Sequence, residues 1–467
     1  MGITGNIMYP VAIKTLMSKL ESAGFLYGPY QDPKLNAKHI LLGMPLQMAK
    51  KSLLDNVFAQ GYEPGTFTTG ERKARPEYIN VDDPSNFEDW VLGEAQSDLC
   101  RLIPLVEKHC RWTLPPKHDL DSIPSAVLEC LDFRFDGNAI LADEVFQQEY
   151  TDVIRRLNCI YLTGWPRLPF TEYDDINSQL LPVGLSIASK CENVDITTLL
   201  RISAASGLVG INFKRNASAT SVLYNNSIIP VTFDQPIEKL ADHIFTALLD
   251  KSEEGWGIDC ENEFIRLVLN SSKKISLILF TDDFLESILD LKLVETILRQ
   301  NLDLKVTIIP RASRFGNDAS YQDIYYFLQQ NTFRYLSDCI AKGRLSIEAR
   351  GPLSGNVNGL RLSTLILNKI MASDIVFAKG ARSFECLQGL KKPAFFAFAV
   401  CRSISEAVTG INAETGKLVL IYQEQGAISF SGYRKRHLRP TVSSSGRTFW
   451  LAERTTAEIL AKEGKYL

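Results

Sequence analysis

Residues 275–290 of this 467-residue chain read ISLILFTDDFLESILD, and this stretch decides the fold. Its first six residues form a short apolar run that predicts a buried strand. Asp282, Asp283 and Glu286 then form a D-D-x-x-E cluster where the strand gives way to a helix. Acids at the carboxyl end of a strand lie where open α/β sheets bind ligands. The cluster predicts a hard metal ion or a guanidinium between the carboxylates, or an acidic helix start that complements the dipole.

The chain downstream of residue 270 alternates short apolar runs with helical stretches. Strand candidates lie at 275–280, 304–310, 344–349, 374–380, 393–400 and 417–423. The stretches ESILDLKLVETILRQN and YQDIYYFLQQNTFRYLSDCIAKG lie between them and are spaced as helices. This alternation predicts an α/β fold with a largely parallel, Rossmann-like sheet flanked by helices. We expect the α/β domain to span residues 166–467.

Residues 1–165 differ in pattern from the rest of the chain. The segments VAIKTLMSKLESAGFL, FEDWVLGEAQSDLCRLIPLVEKHC and EVFQQEYTDVIRRLNCIYL each carry apolar residues at i, i+3 and i+4. Loops rich in proline, glycine and aspartate separate these segments. The pattern predicts a mostly helical N-terminal region over residues 1–165.

Bulk composition limits the classes of protein. Hydrophobic residues make up 45% and charged residues 22%, as in globular proteins. The net charge of −3 gives no overall attraction to nucleic acid. The nine cysteines include no C-x-x-C pair, and no apolar run is long enough to span a membrane. We expect a reduced, cytoplasmic protein with no membrane or DNA partner, and the oligomeric state stays open.

Two later segments also carry polar groups directly after predicted strands. One contains Asn317 and Asp318, and the other runs from Lys379 to Glu385. Since parallel strands end at one edge of a sheet, we expect both segments to meet the acidic cluster there. Taken singly, Asp318 or Ser383 is a good helix cap and Lys379 a solvated charge. The predicted catalytic residues are Asp282, Asp283, Glu286 and Lys379. The predicted substrate-binding residues are Asn317, Asp318, Arg382, Ser383 and Glu385.

In this order, the three segments resemble the metal-binding α/β domain of the damage-control phosphatases. That family shows D-N-x-G-E-x-x-x-D, then N-D-[AV]-T-x-x-D, then K-G-x-x-N-F-E-x-L. Here the segments read D-D-F-L-E-S-I-L-D, N-D-A-S-Y-Q-D and K-G-A-R-S-F-E-C-L. The resemblance covers about residues 270–400. It implies Mg²⁺ or another divalent metal on Asp282, Asp283 and Asp318, Lys379 as the motif lysine, and no organic cofactor.

The chain departs from this pattern at Asp283, Leu285 and Ser383, which replace an asparagine, a glycine and an asparagine. Its D-D-x-x-E motif is similar to that of the fungal arginine-containing cyclodipeptide synthases. That resemblance implies an enzyme of secondary metabolism that joins arginine from arginyl-tRNA to a residue from a second aminoacyl-tRNA as a diketopiperazine. The acids then pair with the substrate guanidinium or hold Mg²⁺, and the sequence leaves both open.

A basic segment, YRKRHLR, stands out in a slightly acidic chain. Its cations beside an aromatic residue suit the phosphate backbone of RNA, although a solvated loop has the same composition. The predicted tRNA-binding residues are Arg434, Lys435, Arg436 and Arg439. The sequence therefore favours a tRNA-dependent cyclodipeptide synthase. The alternative is a metal-dependent damage-control phosphatase acting on sugar or metabolite phosphates.

Overall fold

A computed structural model describes most of the chain from residue 84 onward. The longer described stretches are 84–109, 120–131, 147–163, 173–213, 236–352, 362–387 and 390–401. Shorter ones are 114, 134–135, 138–139, 222–223, 229–232, 357, 409, 411–412, 415–424, 427–428, 438–442 and 448–452. The predicted helix in VAIKTLMSKLESAGFL lies outside the described residues.

The strands among the described residues form one large sheet and three small ones. In chain order they are Arg134–Phe135 (β1), Asn138–Ala139 (β2), Val209–Phe213 (β3), Val222–Leu223 (β4), Ile229–Thr232 (β5), Trp256–Ile258 (β6), Ile275–Phe280 (β7), Leu304–Ile309 (β8), Leu345–Ile347 (β9), Ile375–Lys379 (β10), Ala394–Ala399 (β11), Leu418–Glu424 (β12), Ala427–Ile428 (β13), Leu438–Val442 (β14) and Thr448–Ala452 (β15). The small sheets are β1-β2, β4-β3-β5 and β14-β15.

Twelve α-helices lie among the described residues. They are Pro84–His109 (α1), Ile123–Leu131 (α2), Gln147–Thr163 (α3), Asp174–Lys190 (α4), Ile196–Ala205 (α5), Ile237–Glu253 (α6), Glu261–Phe264 (α7), Phe284–Gln300 (α8), Tyr321–Leu328 (α9), Arg334–Ala341 (α10), Thr364–Ala372 (α11) and Ala381–Leu387 (α12). Within the described part of the chain, no helix is long and apolar enough to cross a membrane.

The large sheet has the order β13-β12-β11-β10-β7-β8-β9, and β6 pairs with β12. The five strands from β11 to β9 are parallel to one another, whereas β12 runs antiparallel to β11. Among these five parallel strands β7 comes first in the chain, β8 and β9 follow on one side of it, and the chain then crosses over to add β10 and β11 on the other. Ligands bind at such a switch in strand order, and here it lies between β7 and β10.

Helices cover both faces of the sheet, and its central strands are accordingly mostly apolar. One face packs against α5 and α8, which are covered in turn by α4 and α6, and Val183, Leu200 and Ile288 are fully buried there. The other face packs against α11 and α12 through Ile366 and Phe384. The result is a three-layer α/β arrangement in which β7 and β10 are covered on each side.

The fold confirms the predicted α/β class with a largely parallel sheet. Each predicted strand downstream of residue 270 occurs within about two residues of its expected position. One helical stretch differs, because the chain from residue 321 to 341 breaks between α9 and α10 at a short turn, Asn331–Phe333. Phe327 and Phe333 are both fully buried, and the break turns both rings toward the core.

Candidate active site

The acidic cluster begins on the loop between β7 and α8. Asp283 has the extended backbone of an N-cap residue (φ −60°, ψ 157°), yet its carboxylate does not cap α8. The helix starts instead from the Asp283 carbonyl, which accepts from the Ser287 backbone N–H at 2.8 Å. The carboxylates of Asp282 and Asp283 therefore stay at the carboxyl end of the central strand.

The second segment is joined to this loop by its backbone. The Ala319 N–H donates to the Asp282 carbonyl at 3.0 Å, and the Phe284 N–H donates to the Asn317 carbonyl at 2.8 Å. Asp318 is thereby held opposite Asp283. Asn317 acts here through its main chain, which fixes the distance between the two acidic loops.

Asp282, Asp283 and Asp318 form a compact carboxylate cluster. One oxygen from each lies within 4.8 Å of the others. Burial, and then the charges of Asp318 and Asp283, raise the pKa of Asp282 to about 8, although Arg311 and Arg382 oppose this. Crowded carboxylate oxygens with surplus negative charge are a donor set that suits Mg²⁺ or another hard divalent cation, so these residues fit a metal.

Arg311 lies in this cluster and was not among the predicted site residues. It follows β8, its side chain is fully buried, and its Nε donates to Asp318 Oδ2 at 2.6 Å. Its Nη2 lies 3.3 Å from Asp282 Oδ1. The available sequence signal was an arginine placed directly after an apolar strand, since a charge in that position needs a partner when buried.

Lys379 belongs to a second group of charges, behind the first. Its fully buried Nζ donates to the carbonyl of Ser203 at 2.7 Å and to Asp290 Oδ1 at 2.9 Å, and lies 3.5 Å from Glu286 Oε2. Burial raises the pKa of Glu286, and Lys379 opposes that rise. Burial lowers the pKa of Lys379, but Asp290 and Glu286 outweigh it and the net shift is upward. The lysine is thus held charged by two acids.

Two small residues make room for these carboxylates. A Cβ at Gly380 would lie 1.8 Å from Asp282 Oδ2, and the residue has a φ of +83°. A Cβ at Gly207 would lie 2.5 Å from Glu286 Oε1. The glycine after Lys379 is therefore required by both its backbone conformation and the close approach of Asp282.

The remaining predicted site residues lie on α12 after β10. Arg382 is half-buried, and its positive charge opposes the rise in the pKa of Asp282. The Ser383 hydroxyl is buried without a hydrogen-bond partner among the described residues. Only the backbone of Glu385 is described. Ser203 and Gly207 were missed by sequence reasoning, because the stretch around them, LLRISAASGLVG, has Arg201 as its single charged residue and so does not mark a site.

The sequence of residues 225–418 matches the family described as the damage-control phosphatase ARMT1-like domain. No curated protein matches the chain. Among solved structures, the chain is similar to a DUF89 family protein from Pyrococcus horikoshii. The two are 14% identical, the match covers 72% of this chain and 97% of that chain, and the TM-score is 0.48.

The family match overturns the cyclodipeptide synthase interpretation, because the matched domain is that of a phosphatase. The predicted tRNA-dependent aminoacyltransferase is wrong, and so are its partners, arginyl-tRNA and a second aminoacyl-tRNA. The contacts give a physical reason, since Arg311 and Lys379 already supply cations to Asp282 and Glu286. The D-D-x-x-E motif therefore does not require a guanidinium from a substrate.

The expected tRNA surface is withdrawn with that interpretation. Arg434, Lys435 and Arg436 lie outside the described residues, and only the backbone of Arg439 is described, in β14. With the family match pointing to an enzyme that acts on phosphate esters, the basic composition of this segment no longer indicates RNA. A solvated loop has the same composition.

Proposed function

We propose that the chain is a metal-dependent phosphatase of the damage-control type, acting on sugar phosphates or other small phosphorylated metabolites. One observation carries the proposal. Asp282, Asp283 and Asp318 gather their oxygens within 4.8 Å at the switch in strand order, inside the region that matches the phosphatase family. Oxygen clusters at that place in an α/β sheet suit a divalent cation and a phosphate ester.

Different residues of the site would bind the cation and the substrate. Asp282, Asp283 and Asp318 would hold the divalent ion, which when bound supplies Lewis-acid polarisation of a phosphoryl oxygen. Arg382 is half-buried and close enough to Asp282 to act on its pKa. We assign to Arg382 the binding of the phosphate group, since a guanidinium matches phosphate oxygens in pairs.

Lys379 has an indirect role in this proposal. Its ammonium is fully buried against Asp290, Glu286 and Ser203, so contact with substrate would require it to leave these partners. We assign to Lys379 the neutralisation of the two acids behind the cluster. Without it, burial would raise the pKa of Glu286 and of Asp290 further, so these acids would take up protons and the charge next to the carboxylate cluster would change.

Release of inorganic phosphate from a panel of hexose and pentose phosphates tests the proposal. We expect hydrolysis that stops with a chelator and returns with added Mg²⁺, Mn²⁺ or Co²⁺. Asp282→Asn should lower kcat/KM by about 100-fold or more, which corresponds to roughly 2.7 kcal/mol of transition-state stabilisation.

Asp303→Asn is the matched control. Asp303 is exposed and lies before β8, at the opposite end of the sheet from the site, so this variant should keep wild-type activity. Hydrolysis that is insensitive to chelators, or an Asp282→Asn variant as active as the wild type, would contradict the proposal. So would the absence of phosphate release from every ester in the panel.

A further inference from the structure

A buried arginine already occupies part of the carboxylate cluster. The Arg311 guanidinium reaches Asp318 Oδ2 at 2.6 Å and Asp282 Oδ1 at 3.3 Å. These two residues supply two of the three carboxylates that are arranged as a metal site. Each of them therefore gives one oxygen to a cation that belongs to the chain itself.

The main chain fixes the guanidinium in this position. The Arg311 N–H donates to the Ala319 carbonyl at 3.2 Å, and its own carbonyl accepts from the Tyr321 N–H at 2.8 Å. The residues that follow Asp318 are thus hydrogen-bonded to both the backbone N–H and the carbonyl of Arg311. The side chain of the same arginine contacts the Asp318 carboxylate. Arg311 holds the two acidic loops together without any external ion.

The balance of charge limits what else the cluster takes. With all three carboxylates ionised, as the binding of a divalent ion requires, they carry a formal charge of −3, and Arg311 reduces it to −2, which matches one divalent cation. Two divalent ions would bring four positive charges beside a fixed guanidinium in a poorly hydrated site, where repulsion between like charges is strong. A pair of metal ions, as in two-metal phosphoryl-transfer sites, is disfavoured here.

We propose that Arg311 is a resident cation of this site, which keeps the carboxylates assembled without metal and restricts them to a single, weakly held divalent ion. The inference rests on the proposed function in one respect, namely that the site binds a divalent metal ion. It concerns how the chain's own arginine competes for Asp282 and Asp318.

Titration of the metal-free protein with Mn²⁺ tests the proposed role of Arg311. Binding is measured by calorimetry and by the electron paramagnetic resonance signal of free Mn²⁺. The wild type should bind one ion per chain. Arg311→Gln removes the competing charge and frees both oxygens, so it should bind Mn²⁺ at least about tenfold more tightly. Affinity that is unchanged or weaker in Arg311→Gln would overturn the inference, as would two ions bound by the wild type.

Arg314→Gln is the matched control for this titration. Arg314 lies on the same loop, but it is exposed and pairs with Asp174 at 2.8 Å. Its loss removes the same charge from the protein without changing the cluster, so its affinity for Mn²⁺ should stay within about twofold of the wild type. A tenfold gain in Arg314→Gln would show that overall charge explains the effect, and would overturn the inference.

A variant that fails to fold without metal is also informative. Arg311→Gln that is unfolded alone and folds with millimolar Mn²⁺ supports the inference, because the ion replaces the lost cation. If it folds in neither condition, Arg311→Lys decides. A lysine ammonium cannot bridge both carboxylates as the guanidinium does, so the affinity for Mn²⁺ should rise by about threefold or more, and no rise overturns the inference.

The titration tests the role of Arg311 and the phosphatase assay tests the function, so either proposal can be refuted without the other. A wild type that hydrolyses phosphate esters while Arg311→Gln binds Mn²⁺ no more tightly refutes the role of Arg311 and leaves the function in place. A wild type without phosphatase activity, in which Arg311→Gln still tightens Mn²⁺ binding, refutes the function and leaves the role of Arg311 in place.

Discussion

At the scale of single residues, the site requires a position without a side chain directly beside the Asp282 carboxylate. Gly380 connects β10 to α12 with a φ of +83°, and its missing side chain leaves room for Asp282 Oδ2. Arg311 then contacts the other oxygen of the same carboxylate. The position of Asp282 is therefore set by a glycine on one side and a guanidinium on the other.

Gly380→Ala should remove activity as well as stability. The new Cβ would lie 1.8 Å from Asp282 Oδ2, so the carboxylate must move. We expect a loss of kcat/KM of about 100-fold or more, measured by phosphate release, together with a lower midpoint of thermal unfolding.

Gly343→Ala separates backbone strain from the displacement of Asp282. Gly343 also has a positive φ, of +65°, but a Cβ there meets nothing within 4 Å. It should cost about 1–2 kcal/mol of stability through its left-handed backbone, with activity unchanged. Equal losses of activity in Gly343→Ala and Gly380→Ala would refute the steric argument.

At the scale of elements, helices bring distant residues to the site. α5 delivers Ser203 to Lys379, and the two are 176 residues apart in the chain. The start of α5 is capped by Asp195, whose Oδ1 accepts from the backbone N–H groups of Thr197 at 3.1 Å and Thr198 at 3.0 Å. The stability of this helix is thus linked to the environment of Lys379.

Asp195→Ala should destabilise the protein by about 1 kcal/mol at neutral pH. Burial raises the pKa of Asp195, but the hydrogen bonds from Thr198 and Thr197 outweigh it and lower the pKa to about 2. Since the folded-state pKa lies below the unfolded value, the cap stabilises the protein above about pH 4 and its contribution is lost as the pH falls toward 2.

Urea denaturation of wild type and Asp195→Ala at several pH values measures this effect. The difference in unfolding free energy should shrink between pH 4 and 2. Asp195→Ser, which keeps a capping oxygen, should lose less stability than alanine at neutral pH. A difference that stays constant across the whole range would show that the carboxylate charge does not contribute.

At the scale of the whole molecule, folding gathers more acids than bases into one buried region. The acids are Asp282, Asp283, Asp318, Glu286 and Asp290. The cations beside them are Arg311 and Lys379, and Arg382 is close enough to affect the pKa of Asp282. Burial and the neighbouring acids raise the pKa of Asp282 to about 8. The excess negative charge is a property of the assembled fold, because folding brings together the segments 282–290, 311–318 and 379–382, which are separate in the unfolded chain.

The metal-free protein should therefore lose stability as the pH rises from about 4 to 8. In this window the folded state retains the proton on Asp282 that the unfolded chain has released, so deprotonation favours unfolding. Denaturation at pH 5.5 and 8.5 should show the lower unfolding free energy at 8.5.

Adding a divalent cation at pH 8.5 should restore stability by mass action. Asp282→Asn, which has no proton to lose, should show a smaller drop between the two pH values. Stability that is flat or rises over this interval in the metal-free wild type would contradict the excess of buried negative charge.

The sequence by itself determined the alternation of strands and helices, the central strand at 275–280 and the three polar segments that follow strands. These features are local, because burial imposes its period along each element separately. Which cation faces which acid was decided only by the tertiary structure. Arg311 contacts Asp282 across 29 residues, and Lys379 contacts Asp290 across 89. Such pairings depend on how elements pack in space, and the composition of a motif such as D-D-x-x-E does not encode them.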